Sequence, residues 1–221
     1  MAQASLPQPL DYTTATVQPT VTEGRQIERN EPFSRLILYA KLTDSELVDK
    51  ATNGDSRALD ALVERYAPRV NRLASQLMGD LEEARDAAQE SLVKVCTRLK
   101  QFRGEAQFAT WLHRVVVNTC RDRMAFQRLR RAEPLELDEH AADDTADPSS
   151  LAVLTDLRRD LSDALSRLST DQRIAVVLRD SFGLSYKEIS RVARMPVGTA
   201  KCYVHRARAR LRQLLEEYTP A

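Results

Sequence analysis

The chain has 221 residues and a mass near 25.0 kDa, room for one ordinary domain or two small ones. An apolar fraction of 43% allows a true core. With 5% aromatics, six glycines and 29% charged residues, the composition favours helices over sandwiches or barrels and excludes collagen-like and wholly disordered chains. The net charge of +1 averages over blocks: 0 for residues 1–42, +3 for 43–131, −8 for 132–156 and +6 for 157–221.

Residues 1–31 are rich in Thr, Gln and Pro without a helical period, and 33–42 can add a short helix; together 1–42 read as a disordered N-terminal extension. From Thr43 onward apolar residues recur at helical spacing. Leu59, Leu62, Val63 and Tyr66 form one stripe, Val70, Leu73, Ala74 and Leu77 the next, then Ala84, Ala88, Leu92, Val95 and Leu99, then Phe108, Trp111, Leu112, Val115 and Thr119. Pro68 is expected to kink or restart its helix, and Gly54, Gly79 and Gly104 punctuate the segments. Residues 43–131 are therefore expected to form a bundle of about four helices. The runs Val115–Val117 and Ile174–Val177 would suit strands in isolation, but the periods around them are helical and longer.

Residues 132–156 hold eight acids, no Lys or Arg and two prolines, the composition of a flexible linker. The second helical block, 157–215, opens with the stripe Leu157, Leu161, Ala164, Leu165 and Leu168. Ser169-Thr170-Asp171 then forms an N-cap cluster, and 216–221 is a tail. The fold class expected is all-α: two small helical domains joined by a flexible acidic linker.

Within the second block, Ser185 and Glu188 fit a capping box that starts a short helix at about Tyr186 and ends it near Arg194. Met195-Pro196 follows, and a longer helix runs to about Leu215. Its buried face would be Val197, Ala200, Val204, Ala207, Leu211 and Leu214, leaving Lys201, Cys202, His205, Arg206, Arg208 and Arg212 outside. A short helix, a tight turn and a longer helix with a basic outer face describe a helix-turn-helix, whose second helix fits a major groove. The plain alternative is an amphipathic surface helix with solvated arginines.

The strings Gly183-Leu184-Ser185-Tyr186-Lys187-Glu188-Ile189, Pro196-Val197-Gly198-Thr199-Ala200-Lys201 and Arg206-Ala207-Arg208 resemble the promoter −35 domain of bacterial RNA polymerase sigma factors, most of all the extracytoplasmic-function (ECF) group. The first block resembles the same family independently. Asp86-Ala87-Ala88-Gln89-Glu90 is similar to its polymerase-binding helix. Phe102-Arg103-Gly104-Glu105, Phe108-Ala109-Thr110-Trp111-Leu112 and Val117-Asn118 are similar to its −10 region. The resemblance covers 43–131 (sigma region 2) and 157–215 (sigma region 4), in the family's order.

It implies a factor that binds core polymerase, directs it to promoters with −10 and −35 elements and helps open the duplex. Asp86, Gln89 and Glu90 would dock on the clamp coiled coil of the large polymerase subunit, with region 4 meeting the flap; a solvated face is the alternative. Phe102 and Asn118 would recognise −10 bases, with Arg103, Arg114, Arg121 and Arg123 on phosphates. Trp111 can belong to the core stripe or to the DNA surface, and Asn118 can be a satisfied core amide. Lys201, Cys202, His205 and Arg206 would read the −35 groove, with Arg208 on phosphate. A redox role for Cys202 would need a low thiol pKa that nothing in the sequence guarantees. The linker is either a plain tether or a strand threaded through the polymerase's basic channels. An anti-sigma factor is an expected partner, alongside core RNA polymerase and promoter DNA.

Other classes fit less well. A helix-turn-helix regulator acting without polymerase is the alternative function, but it leaves 81–131 unexplained. A helical module serving only protein partners is a further rival. His113, His140 and His205 are isolated, and no HExxH, P-loop or GxGxxG appears, so no enzyme, catalytic residue, metal or cofactor is expected. Cys96, Cys120 and Cys202 form no CxxC pair, which argues against a disulfide framework or zinc site. No run of about 18 apolar residues and no leader-like N-terminus appear, so no membrane insertion is expected and the cytoplasm is the expected location.

Overall fold

The computed structural model describes residues 39–132 and 159–216. The expectations for 1–38, for 133–158, which hold nearly all of the acidic linker, and for 217–221 lie outside the described residues. Among those described, every regular element is helical.

Helix α1 (Asp44–Thr52) begins in a capping box: the Glu46 N–H donates to the Thr43 hydroxyl at 3.3 Å, and the Thr43 N–H donates to the Glu46 carboxylate at 2.7 Å. Helix α2 (Ser56–Met78) is capped by Asp55, which accepts from the N–H groups of Arg57 and Ala58. It runs unbroken through Pro68, where the sequence suggested a kink or a restart. Both Pro68 and Glu64, whose carbonyl loses its helical donor, are exposed, so water can satisfy that carbonyl. Meanwhile Leu62, Tyr66, Val70 and Leu73 anchor the helix on either side. The helix ends at Gly79, whose φ of 80° suits glycine and lets the chain reverse into α3 (Leu81–Arg98), capped in turn by Asp80. A 3-10 turn (Leu99–Gln101) and a loop lead to α4 (Phe108–Ala132).

The core of this first block joins Leu62, Val70, Leu73 and Leu77 of α2 to Ala84, Ala87, Ala88 and Val95 of α3 and to Leu112, Val116 and Cys120 of α4, all nearly fully buried. The alanines of α3 leave room for close helix approach. The inner face of α4 is wider than the expected stripe, of which Phe108, Leu112 and Thr119 are buried. Val116, Val117, Cys120 and Met124 are buried, whereas Trp111 and Val115 are half-exposed. Burial pushes the Cys120 thiol up to about 12.

The second block contains a helical segment at 159–166 and then α5 (Thr170–Val176), capped by Ser169 and continuing into a wide π-type turn (Val177–Ser181). Helices α6 (Tyr186–Ala193) and α7 (Val197–Glu216) complete it. Of the stripe expected at its start, Ala164, Leu165 and Leu168 are buried and Leu161 is 38% exposed.

The two blocks share one apolar cluster, because α6 packs along α4. Polar groups cross the joint as well. Arg121 and Asp171 form an ion pair at 2.9 Å, and Arg128 donates to the Thr170 hydroxyl at 2.6 Å. The buried Arg173 of α5 donates to the Leu77 carbonyl at 2.6 Å and to the Ser166 carbonyl at 2.7 Å. Leu77 lies in the last turn of α2, where carbonyls lack helical partners, so this guanidinium caps a helix of the other block. Phe182 completes the joint. Its ring meets His113 edge-on at 5.3 Å and lies 4.8 Å from the Arg72 guanidinium, which also donates to the Ser181 carbonyl.

Candidate nucleic-acid interface

Helix α6 begins in the capping box expected from the sequence: the Glu188 N–H donates to Ser185 Oγ at 3.3 Å, and the Ser185 N–H donates to Glu188 at 2.7 Å. Arg194 ends it with a left-handed φ of 54°, and the Met195 N–H turns back to the Ser190 carbonyl at 3.2 Å. The Pro196 carbonyl then accepts from Ala200, launching α7. Ala200, Val204, Ala207 and Leu214 are buried, Leu211 is half-buried, and Val197 at the tip is 37% exposed.

Lys201, Cys202, His205 and Arg206 all stand exposed on the outer side of α7, within a helical span of one and a half turns. Lys201 Nζ lies 5.9 Å from the Tyr186 ring. Arg208 is also outside, but its guanidinium is forked onto Asp180, with donor distances of 3.0 and 2.5 Å. Arg212 is exposed. The arrangement is a rigid basic helix with donors directed outward, able to meet phosphates and base edges.

The second candidate surface is the loop 102–107 and the start of α4. Phe102 rests on Trp111 at 5.5 Å and on Phe108 at 5.8 Å, and Phe108 meets Tyr66 at 5.2 Å. A cavity of about 460 Å³ opens beside this cluster, lined by Phe102, Arg103, Trp111 and Arg114 and, from the second block, Arg191. Trp111 thus serves the packed cluster and the cavity wall at once. Asn118 is half-exposed, one helical turn beyond the exposed Arg114. Aromatic walls ringed by guanidinium groups can hold an unstacked base and its phosphates.

Two of the arginines assigned to this surface have intramolecular partners. Arg121 pairs with Asp171 and also donates to the Ala193 carbonyl at 3.3 Å. Arg123 lies on another face of α4, where it bridges Glu83 at 2.8 Å, Asp86 at 2.9 Å and Glu90 at 3.3 Å. That hub and Lys94, 2.7 Å from Glu90, hold the Glu83 and Glu90 carboxyls below the usual carboxylate range.

The third surface is the outer face of α3. Asp86 and Gln89 are exposed on it, whereas Glu90 turns partly inward toward Lys94 and Arg123. The stripe Glu82, Asp86, Gln89, Val93 and Thr97 is exposed throughout, with Val93 at 58%. Val93 escaped the sequence reading, although its spacing of seven from Asp86 and four from Gln89 is the signal that places it there. An exposed valine among acid and amide acceptors suits a protein partner with basic side chains around an apolar spot.

Among the described residues, no helix is long and apolar enough to cross a membrane. The family model for sigma-70 region 2 matches residues 62–131, and that for sigma-70 region 4 matches 158–211. RNA polymerase sigma-H factor of Pseudomonas aeruginosa is 33% identical over 181 residues, 78% of this chain and 94% of that protein. The ECF RNA polymerase sigma-E factor of Salmonella typhimurium is 35% identical over 179 residues, covering 76% and 92%. Among solved structures, CnrH in complex with the cytosolic domain of CnrY matches with a TM-score of 0.61 at 25% identity, covering 80% of this chain and 99% of that one. The sigma factor RpoE in complex with the anti-sigma factor NepR from Bartonella quintana matches at 0.59 with 27% identity, covering 71% and 96%. Both conserved regions are present in order, over nearly the full length of the relatives, and the chain therefore belongs to the sigma factors of the ECF group.

Proposed function

We propose that this protein binds core RNA polymerase, directs it to promoters bearing its own −10 and −35 elements, and assists opening of the duplex. Three surfaces divide the work. The exposed stripe of α3, with Asp86, Gln89, Glu90 and Val93, docks on the clamp coiled coil of the large subunit, and region 4 meets the flap. The loop after the 3-10 turn and α4 capture the −10 strand: Phe102 and Asn118 contact bases, and Arg103, Arg114 and Arg121 hold phosphates. In the helix-turn-helix, Lys201, Cys202, His205 and Arg206 face the −35 major groove, with Arg208 near the backbone. The functional units are 43–131 and 157–215, with 132–156 as the strap between them.

Opening follows from differential binding. A base that leaves the stack gains the cavity beside Phe102 and Trp111, and the strand gains cations, contacts closed to it in the duplex. Cys202 and His205 are poor bidentate readers, so the −35 preference is particular to this chain. One solved neighbour, RpoE of Bartonella quintana, is a sigma factor in complex with an anti-sigma factor, and we extend an anti-sigma partner to this chain. Its place of work is the cytoplasm, where polymerase meets DNA.

The observation that carries this reading is the separation of an acidic and amide face on α3 from a basic face on α7, each inside a region matched to the family. In vitro transcription with core polymerase on a promoter library tests it. Start sites absent with core alone should appear with the protein added; an unaltered start-site profile would refute the proposal.

A further inference from the structure

We infer that Arg123 is a positioning residue for polymerase docking: from the α4 side of the seam between α3 and α4 it holds the Asp86 carboxylate of α3 ready for a basic partner. The inference rests on the docking role proposed above for α3. It moves Arg123 away from the phosphate contacts that the resemblance implies for it.

The seam is a ladder of polar groups. On α3, Glu83, Asp86, Glu90 and Lys94 follow at helical spacing along the edge next to α4, and on α4 Thr119 and Arg123 stand one turn apart. Arg123 Nε and Nη2 both donate to Glu83 Oε2, at 3.1 and 2.8 Å. Its Nη2 also donates to Asp86 Oδ2 at 2.9 Å, and its Nη1 to Glu90 Oε2 at 3.3 Å. Lys94 Nζ pairs with Glu90 Oε1 at 2.7 Å and donates to Thr119 Oγ1 at 3.1 Å. Thr119 is buried, so the ladder is anchored in the core.

The geometry is that of a support and not of a mask. The Arg123 side chain is 26% exposed and that of Asp86 64%, so the cation lies beneath the carboxylate it holds. In the pair of Arg208 with Asp180 the arginine is the more exposed partner. Among the described residues, Asp86 is engaged through Oδ2 alone, which leaves Oδ1 for an incoming Lys or Arg. A carboxylate fixed before the encounter loses less rotamer freedom on binding. The planar guanidinium fork can hold Glu83, Asp86 and Glu90 together, which the single ammonium of a lysine does not reproduce.

The test is a double-mutant cycle, read as the affinity of the full-length chain, labelled at its N-terminus, for core RNA polymerase. Arg123→Gln should weaken binding about three- to tenfold, the cost of ordering one or two side chains at the encounter. In an Asp86→Ala background the same change should cost less than about twofold, because the group it positions is gone. Arg123→Lys, run through the same cycle, should show a smaller loss in the first background and none in the second. A merely structural role predicts equal losses in both backgrounds and would overturn the inference, as would tighter binding by Arg123→Gln, the mark of a masking cation. In the free chain, carbon-13 NMR should show the Glu83 carboxyl titrating higher in Arg123→Gln than in wild type, since the fork that lowers it is gone; identical titration overturns the inference too. With core at saturation, the slope of promoter affinity against salt should be the same in Arg123→Gln and wild type. A slope reduced by about one would put the guanidinium on a phosphate instead. Should Asp86→Ala bind core as tightly as wild type, the docking reading itself falls and the inference with it. Should Asp86→Ala weaken binding while Arg123→Gln does not, only the inference falls.

Discussion

Acid should weaken this protein through one histidine. His113 is 2% exposed; it accepts a hydrogen bond from Arg69 Nε at 3.0 Å and stacks edge-on against Phe182. The charged groups acting on it are Arg69 of α2 and, more distantly, the Glu188 carboxylate of α6. Burial first, and Arg69 second, lower its pKa from 6.5 to about 4. The folded chain therefore keeps His113 neutral where the unfolded chain takes up a proton. The stability this confers is full above pH 6.5 and is lost as pH falls toward about 4. At about 1.4 kcal/mol per pKa unit the whole effect is about 3 kcal/mol, and about 2 kcal/mol of it is gone near pH 5. Hydrogen bonds and nearby cations hold the carboxyls of Glu46, Asp55, Glu83, Glu90 and Glu188 below their ordinary values, so their contributions are lost only within and below the ordinary carboxylate range and the upper part of the window belongs to the histidine. Urea unfolding at a series of pH values measures it. His113→Gln, which can still accept from Arg69, should flatten the dependence above the carboxylate range. A wild type whose stability is constant from neutral pH down to about 5, or a variant with the same slope as wild type, would refute the assignment.

Three further outcomes are expected. Arg194→Gly should raise the unfolding free energy by up to about 1 kcal/mol in thermal or urea denaturation, because a left-handed φ burdens any residue with a Cβ and Arg194 is exposed. Val93→Asp should weaken binding to core polymerase about tenfold or more in a fluorescence titration while leaving the melting temperature unchanged, since the side chain is 58% exposed and desolvating a new carboxylate opposes docking. Asn118→Ala should impair promoter opening, seen by permanganate reactivity, more than −35 binding, seen by footprinting; equal opening in both proteins would remove the amide from the −10 surface.

Much of the fold was legible because each helix carries its own boundary signals. Thr43 with Glu46, Ser185 with Glu188, and Asp55 and Asp80 stand where side chains can satisfy the first free N–H groups, and 3.6-residue spacing marks the buried faces. Pro68 was misleading because the rule against proline assumes that the orphaned carbonyl goes unsatisfied, and here it faces solvent. The full breadth of the buried surface of α4 was missed for a related reason. Its apolar residues cover more than one side because it packs against α2 and α3 on one flank and α6 on another, and a single-stripe reading chooses only one partner. Polar pairings were less legible still. Arg121 meets Asp171, Arg123 meets Glu83 and Arg208 meets Asp180 across separations of 50, 40 and 28 residues. No local pattern encodes which carboxylate lies opposite an arginine once the chain has folded.

Those pairings bear on how two basic blocks avoid indiscriminate DNA binding. An arginine free in solvent contributes to affinity for any duplex, since phosphate contacts carry no sequence information. Arg121 and Arg208 are each held by a carboxylate of the same chain, at 2.9 and 2.5 Å. Exposed pairs of this kind contribute only about 0 to 1 kcal/mol to stability, so their effect on folding is slight. Their effect on binding is larger in kind: a phosphate must compete with a carboxylate already in place, and it succeeds only where neighbouring contacts share the load. Lys201, His205 and Arg206 have no such carboxylate among the described ion pairs, and they stand on the face assigned to sequence reading. Arg121 and Arg208, two of the arginines proposed for phosphates, are thus conditionally masked, whereas the donors proposed for the −35 groove are left free, and on that proposal the masking lowers affinity for bulk duplex more than for a cognate element.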